Sequence, residues 1–410
     1  MRRVVVTAVG TVNPIGNNVE DTWKAILNKE CGIEEMTHIN IEDFKVKLGA
    51  EVKNLNLEDY LDPKEVKNND RFINLALVAA QEAMRNAKLD LETIDKSRFG
   101  VLVASGIGGL KGIQETAITC HERGPGRISP YFIPKSLINL APGQIAIKYG
   151  AEGYVSSVVT ACAAGTNAIG DAYLRILANQ EDVIITGSSE ACMCEIGIGG
   201  FQSMRALSLE TDKAKASMPF DKDRSGFVMG EGAAILVLEE LEHAKARNAT
   251  ILAEVVGYGC SCDASHITAP KLDGSGGASA IAKAIKSANL NPEDITYFNA
   301  HGTSTKLNDA TETKAINLVF KDHTKNLYVS STKGNTGHLL GGTGSLEAIF
   351  CIKSLQESII IPTINTSNID EEINLNLPLD FVKKDYTYAL SNSLGFGGHN
   401  ASIIFKKWDN

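Results

Sequence analysis

Four stretches of this chain carry residues that could do chemistry. The first centres on Cys162, between a β-branched run, Val155-Ser156-Ser157-Val158-Val159-Thr160, and a small-residue run, Ala163-Ala164-Gly165-Thr166-Asn167-Ala168-Ile169. The first run reads as a buried strand, the second as a helix whose early residues are small enough to pack closely. A thiol at that junction meets the positive end of the helix dipole, which favours thiolate and lowers the cysteine pKa. The thiolate is the nucleophile, so a covalent catalyst is one reading of Cys162; a buried core cysteine is the other, and this segment leaves both open. The second stretch is Asn299-Ala300-His301-Gly302-Thr303-Ser304-Thr305, after the strand-like Ile295-Thr296-Tyr297-Phe298. A histidine at a strand end, followed by glycine and hydroxyls, is placed to face a cleft. The third is Lys333-Gly334-Asn335-Thr336-Gly337-His338-Leu339-Leu340-Gly341. The fourth is Asn392-Ser393-Leu394-Gly395-Phe396-Gly397-Gly398-His399-Asn400. Its glycines permit backbone N–H groups to converge on a ligand and let the loop move. Taken singly each signal is weak, since a lone histidine is more often structural and a glycine cluster more often a turn.

The elements that must position these residues alternate along the chain. Short β-rich runs at Phe99–Ala104, Asp182–Thr186, Ala234–Leu238, Ile251–Val256 and Leu327–Ser330 are interleaved with helical patterns such as Phe72–Met84 and Ala278–Ala288. Such alternation predicts an α/β protein with buried sheets. The halves look loosely alike: a strand leads to Cys162 and its helix, and Leu327–Ser331 leads through Lys333 and His338 to a helix at Ser345–Phe350. An internal duplication is one reading of this likeness, with the match between the halves too weak to prove it; it would divide the chain into 1–250, with the thiol, and 251–410, with the histidines and the Gly-rich loop.

Bulk properties narrow the function classes. The 410 residues are 43% hydrophobic and 22% charged, with a net charge of −9, which disfavours a nucleic-acid binder. The eight cysteines do not form a disulfide framework, and the C-x-C pairs Cys192/Cys194 and Cys260/Cys262 lack zinc-knuckle spacing, so no metal is expected and a reducing compartment is. Asp221, Asp223 and Glu231 read as structural partners of Arg224 rather than as a metal or acid/base set. Met1-Arg2-Arg3 leads straight into Val4-Val5-Val6-Thr7, a strand start rather than a signal peptide, and no apolar run is long enough to cross a membrane.

Taken together and in this order, the four stretches resemble the β-ketoacyl-acyl-carrier-protein synthases of the thiolase superfamily, the synthase II branch above all. Further matching segments are Val4–Gly10, Ser105-Gly106-Ile107-Gly108-Gly109, Gly126-Arg127-Ile128-Ser129-Pro130, Pro219–Phe227 and Asn400–Phe405. The resemblance covers almost the whole chain. It implies a duplicated thiolase-like αβαβα five-layer fold and an acyltransferase that needs no cofactor. The reaction would be decarboxylative condensation of a malonyl thioester with an enzyme-bound acyl chain, lengthening fatty acids by two carbons. It implies Cys162 as the nucleophile, His301 and His338 as the pair assisting decarboxylation, and Lys333 beside them, balanced by Glu347. It also implies the backbone N–H groups of Cys162 and Phe396 as an oxyanion hole, with Phe396 as gate. Thr303 and Thr305 would hold the pantetheine arm, and Ile107 and Phe201 would line the acyl pocket.

The partner so implied is acyl carrier protein, which is acidic. Lys64, Lys67 and Arg71, at about helical spacing, together with Arg127 and Arg205, are the expected docking patch. The resemblance also implies a homodimer in a bacterial-type cytoplasm, with an organelle interior left open. Two departures bear on substrate preference: His399 stands where the family often has threonine, and Gly334-Asn335 replaces a serine-methionine pair. Histidine at 338 disfavours the synthase III and chalcone synthase branches, which carry asparagine there. A polyketide-type ketosynthase shares all three active-site residues and stays as the rival. A chain-length-factor-like subunit is disfavoured by Cys162, and a thioester hydrolase by a loop that should exclude water.

Overall fold

The computed structural model describes residues 2–409. Its runs of β-branched and small residues pair into a ten-stranded sheet. In chain order the strands are β1 Val4–Val12, β2 Phe99–Ala104, β3 Val155–Ser156, β4 Val183–Glu190, β5 Gly232–Glu240, β6 Ala253–Cys262, β7 Tyr297–Asn299, β8 Tyr328–Ser330, β9 Tyr388–Gly395 and β10 His399–Lys407. Their order across the sheet is β8-β7-β9-β10-β6-β1-β5-β4-β2-β3. The two halves meet where Val4, Val5 and Val6 pair with Val255, Glu254 and Ala253.

Each half repeats one topology. The first five strands lie in the order 1-5-4-2-3, antiparallel across β1/β5 and β5/β4, then parallel across β4/β2 and β2/β3. The second five lie as 6-10-9-7-8 with the same senses. The duplication that is faint in the residues is therefore plain in the pairing.

Five helices complete the layers: α1 Arg71–Ala87, α2 Ala164–Leu177, α3 Ser275–Ser287, α4 Lys306–Phe320 and α5 Thr343–Glu357. Helix α1 begins at an Asp70 cap and buries Phe72, Leu75, Ala76, Ala79, Ala80 and Ala83, the spacing of one apolar stripe. It covers β1 and β5 on one side; α3 covers β6 and β10 on the other, with α4 packed on it. Helices α2 and α5 lie between the two half-sheets, which gives α-β-α-β-α. Separate apolar cores fill the central layer and each outer one.

The two central helices approach through glycine. A Cβ on Gly165 would lie 2.8 Å from the Ser345 nitrogen, and one on Gly344 would lie 2.3 Å from Thr166 Oγ1. Small residues at the start of α2 are thus needed to bring both helix N-termini to one place.

Three expectations change. The run Val155–Thr160 is not a buried strand: only Val155–Ser156 pairs, at the sheet edge, and Val155 and Val159 are 37% and 54% exposed. An edge strand has one bare flank, so its side chains are not enclosed within a single chain. Arg224 is buried but pairs with Asp309 and Asp370; Asp221 instead accepts backbone N–H groups from Asp223, Ser367 and Asn368. Glu231 is held by Arg71, whose guanidinium makes two bonds of 2.7 Å to it. A fully buried carboxylate needs such a partner, so the Arg71 guanidinium is engaged within the fold by Glu231.

Candidate active site

Cys162 lies in the tight turn Ala161–Ala163, directly ahead of α2. Ala161 has φ +50°, a conformation that costs a non-glycine residue energy and that clusters at functional sites. Ser304 (φ +68°) and Leu340 (φ +49°), beside the two histidine segments, share it. His301 follows β7, and His338 follows the short helix Lys333–Thr336 after β8. The equivalent positions of the duplicated topology, β3 into α2 and β8 into α5, thus deliver the thiol and the second imidazole to one point. The sulfur and a ring nitrogen of each histidine lie within 4.8 Å of one another, at the wall of a cavity of about 420 Å³.

The electrostatics of the thiol differ from the helix-dipole expectation. Burial pushes the Cys162 thiol up to about 12, while the Lys333 ammonium and the N–H groups of Phe396 and Cys162 act in the opposite direction. Desolvation wins because the sulfur is enclosed, so the resting group is a neutral thiol beside a proton acceptor. That acceptor is available: burial first, then the Lys333 charge, hold both His301 and His338 well below the usual histidine range. Two neutral imidazoles can each take a proton or donate one N–H. The Thr343 hydroxyl lies 2.9 Å from His338 Nδ1; in the tautomer in which that hydroxyl donates, Nε2 carries the proton. The ring edge of His338 packs 5.1 Å from His301 and 5.2 Å from Phe227, centroid to centroid. A soft divalent ion would fit these donors, but it would consume the same lone pairs and sulfur.

Lys333 is buried among these groups. Its Nζ donates to the His301 carbonyl and lies 2.5 Å from Glu347 Oε1. Burial pushes Glu347 up to about 7 despite that ammonium. Phe396 borders the cavity in the turn between β9 and β10, with its N–H directed at Cys162. Its ring lies 6.3 Å from that of Phe201, which also lines the cavity. Thr303 and Thr305 line the mouth with their hydroxyls 3.0 Å apart, and Thr305 also caps α4.

The other expected residues are less central. Ile107 is 36% exposed on the loop after β2 and does not border this cavity. Of the five expected docking cations only Arg205 borders it; Lys64, Lys67 and Arg127 are exposed elsewhere. Lys306, which the sequence reading passed over, joins Arg205 at the mouth.

Two buried carboxylates also escaped the sequence reading. Glu312 accepts the N–H groups of His301 and Gly302 at 2.8 Å and the Asn392 amide at 2.7 Å, which fixes the histidine backbone. Glu190 is fully buried and accepts from Ser105 Oγ and the N–H groups of Gly106, Ile107, Gly108 and Gly341. It ties the Ile107 loop to the turn after His338. Only its strand position, next to a Gly-rich loop across the sheet, could have signalled this.

Known proteins with the same architecture share this arrangement of segments. The beta-ketoacyl synthase N-terminal domain family matches residues 1–244 and the corresponding C-terminal domain family matches 252–367. The chain is 47% identical over 409 residues to a 3-oxoacyl-acyl-carrier-protein synthase 2 of Staphylococcus aureus strain COL, covering 100% of this chain and 99% of that protein. It is 46% identical to the synthase 2 of Synechocystis, covering 99% and 98%. Among solved structures, a beta-ketoacyl synthase from Burkholderia phymatum superposes with a TM-score of 0.92 at 31% identity over the whole of both chains. A type II polyketide ketosynthase, solved with its acyl carrier protein and bound to a hexaketide, also gives 0.92, at 33% identity over both whole chains. With both family models matching in tandem and relatives this similar along its full length, the chain belongs to the β-ketoacyl synthase family.

Proposed function

We propose that this enzyme lengthens acyl-carrier-bound fatty acids by two carbons, with Cys162 holding the acyl chain and His301 and His338 activating the malonyl unit. The observation that carries the reading is one enclosed thiol within 4.8 Å of two imidazoles that burial and Lys333 keep neutral.

In the first half-reaction the Cys162 thiol gives its proton to an imidazole as sulfur attacks the acyl thioester carbonyl. The N–H groups of Cys162 and Phe396 receive the developing oxyanion. Collapse expels the carrier thiolate, which takes the proton back and leaves as a thiol. In the second, the malonyl thioester carbonyl lies between two N–H donors, one from each histidine. Loss of carbon dioxide leaves an enolate whose oxygen those donors stabilise. Its α-carbon attacks the acyl-Cys162 carbonyl, the same oxyanion hole is used again, and the Cys162 thiolate is expelled and reprotonated. Lys333 acts through the histidines: its charge keeps them neutral, and its bond to the His301 carbonyl holds that segment in place. Closure of the Phe396 turn keeps water from the acyl-thioester.

Names of the relatives and the solved carrier complex support acyl carrier protein as the partner, with Arg205 and Lys306 as the cations nearest the mouth. A homodimer is supported by the bare edge of β3, an unpaired strand flank that another chain can cover, and by the exposed apolar side chains of Val155 on that strand and Val159 just after it. Cytoplasmic action is supported by eight free cysteines. Functionally the chain divides into a thiol-bearing half, 1–250, and a histidine-bearing half, 251–410.

Purified protein supplied with acyl- and malonyl-loaded carrier should yield a 3-oxoacyl carrier two carbons longer, with one carbon dioxide per product. Free fatty acid as the sole product would replace condensation with hydrolysis. Turnover only with poly-β-keto acceptors would favour the polyketide reading.

A further inference from the structure

Glu190 bonds two loops of the site at once. It ends β4, beside the parallel strand β2. Its Oε2 accepts the Gly106 N–H at 2.7 Å, from the loop after β2, and the Gly341 N–H at 3.1 Å, from the turn after His338. Its Oε1 accepts from Ser105 Oγ at 2.9 Å, the Ile107 and Gly108 N–H groups at 3.2 and 3.3 Å, and the Cys192 thiol at 3.4 Å. Each of these neighbours is a neutral donor, so one fully buried carboxylate is what gathers them. Ser105 Oγ also accepts the Gly108 N–H at 3.1 Å, which closes the loop on itself. The loops are drawn together closely. A Cβ on Gly341 would lie 2.3 Å from the Gly106 nitrogen, and one on Gly106 would lie 2.6 Å from Glu190 Oε2 and 3.6 Å from the Ala161 carbonyl oxygen, in the thiol turn. Leu340, at φ +49°, stands next to the bonded Gly341; backbone of that kind persists where its surroundings fix it. Leu110, just after the β2 loop, and Leu340 pack in one apolar cluster with Cys162, Cys192 and Phe201. An acyl chain on Cys162 lies against that cluster, so the β2 loop bounds the acyl side while Gly341 backs the malonyl side at His338.

We propose that Glu190 is a positioning residue that couples the two halves of the reaction: one carboxylate bonds the β2 loop and the turn after His338, and so sets acyl-chain selectivity and malonyl decarboxylation together. It acts through the backbone it holds and not on the reacting atoms. Glu190→Gln keeps the size of the side chain but replaces one oxygen with an amide NH2. Whichever way round that amide lies, its NH2 meets donors. At the Oε2 position it faces the Gly106 and Gly341 N–H groups; at the Oε1 position it faces Ser105, Ile107 and Gly108. Part of the bridge then loses its acceptor and is pushed by a second donor. The inference rests on the condensation reading of this site.

The test uses the whole enzyme. Acyl carriers of several chain lengths compete for Cys162, and labelled carbon dioxide is followed from malonyl carrier on the acyl-enzyme. Both are expressed per site that acylates in the burst, so protein that has lost its fold does not count. Glu190→Gln should lower the kcat/KM ratio between the preferred and the poorest chain by about tenfold. It should also slow carbon dioxide release by about tenfold or more, the scale of a small misplacement of a catalytic group, with the KM for malonyl carrier unchanged. Ser105→Ala removes one donor to the carboxylate and the acceptor of the Gly108 N–H; it should move both quantities the same way by about fivefold, the scale of one neutral hydrogen bond. Selectivity and decarboxylation that move separately in either variant, or that both stay native per acylated site, overturn the proposal. Ser105→Ala keeps it decidable where Glu190→Gln does not fold. A native enzyme that forms no 3-oxoacyl product would instead refute the condensation reading, which keeps the two failures apart.

Discussion

Replacing His338 with alanine separates the two half-reactions. In the native site both imidazoles are neutral, because burial and the Lys333 charge oppose their protonation. Each therefore contributes one N–H to the enolate oxygen and no net charge. Removing a preorganised donor of this kind costs about 2.7–4 kcal/mol, or roughly a hundred- to a thousandfold in rate. Acylation of Cys162 should suffer far less. In the proposed mechanism its oxyanion is received by the N–H groups of Cys162 and Phe396, which are directed at the Cys162 sulfur, and His301 stays within 4.8 Å to receive the thiol proton. The acyl-enzyme burst and the release of labelled carbon dioxide from malonyl carrier measure the two steps in the same preparation. His338→Ala should lose two to three orders of magnitude, about 2.7–4 kcal/mol, in carbon dioxide release, and less than about tenfold, or 1.4 kcal/mol, in the burst. Equal losses in both steps, or unchanged decarboxylation, would refute the assignment of the N–H donors.

Other perturbations follow from the same geometry. Arg71→Met leaves Glu231 buried without its cation and should cost about 3–5 kcal/mol in urea unfolding, with the KM for carrier unchanged under folding conditions; a raised KM and unchanged stability would return Arg71 to the docking patch. Arg205→Glu combined with Lys306→Glu should raise the KM for carrier and flatten its salt dependence, while malonyl-pantetheine, which lacks the acidic carrier, keeps its native rate; unchanged carrier kinetics would remove both residues from docking. Because burial holds the Cys162 thiol near 12, the thiolate fraction grows as pH rises. Alkylation by iodoacetamide should therefore climb about tenfold per pH unit from pH 6 to 9 without levelling off, and a plateau below pH 7 would show that the helix N-terminus outweighs desolvation.

The residues that the fold gathers at one cavity were legible because they combine unusual types with tight local sequence: Cys162 before a small-residue helix, His301 and His338 beside glycines, Phe396 among glycines. Strands such as Phe99–Ala104 were legible because they are buried on both faces and so read as unbroken apolar runs. What was missed depended on contacts distant in sequence. Glu190, Glu312 and Arg71 look like surface charges in the chain; the two carboxylates are buried and Arg71 is half-buried because backbone N–H groups or an opposite charge from other elements satisfy them. Burial likewise reversed the expected direction for the Cys162 thiol, since the local helix was visible in the sequence and the enclosing walls were not. The Val155–Thr160 run kept its β-branched character at a sheet edge, where composition alone does not distinguish an enclosed strand from one left for a partner.

The most direct test of the central claim follows the acyl group on Cys162 itself. Mass spectrometry after mixing with acyl carrier should find the acyl mass on the Cys162 peptide, and malonyl carrier should discharge it as a 3-oxoacyl product two carbons longer. Cys162→Ala should form neither the acyl-enzyme nor the product, while still releasing some carbon dioxide from malonyl carrier. Elongation that persists in Cys162→Ala, or an acyl mass that malonyl carrier releases only as free acid, would contradict the account.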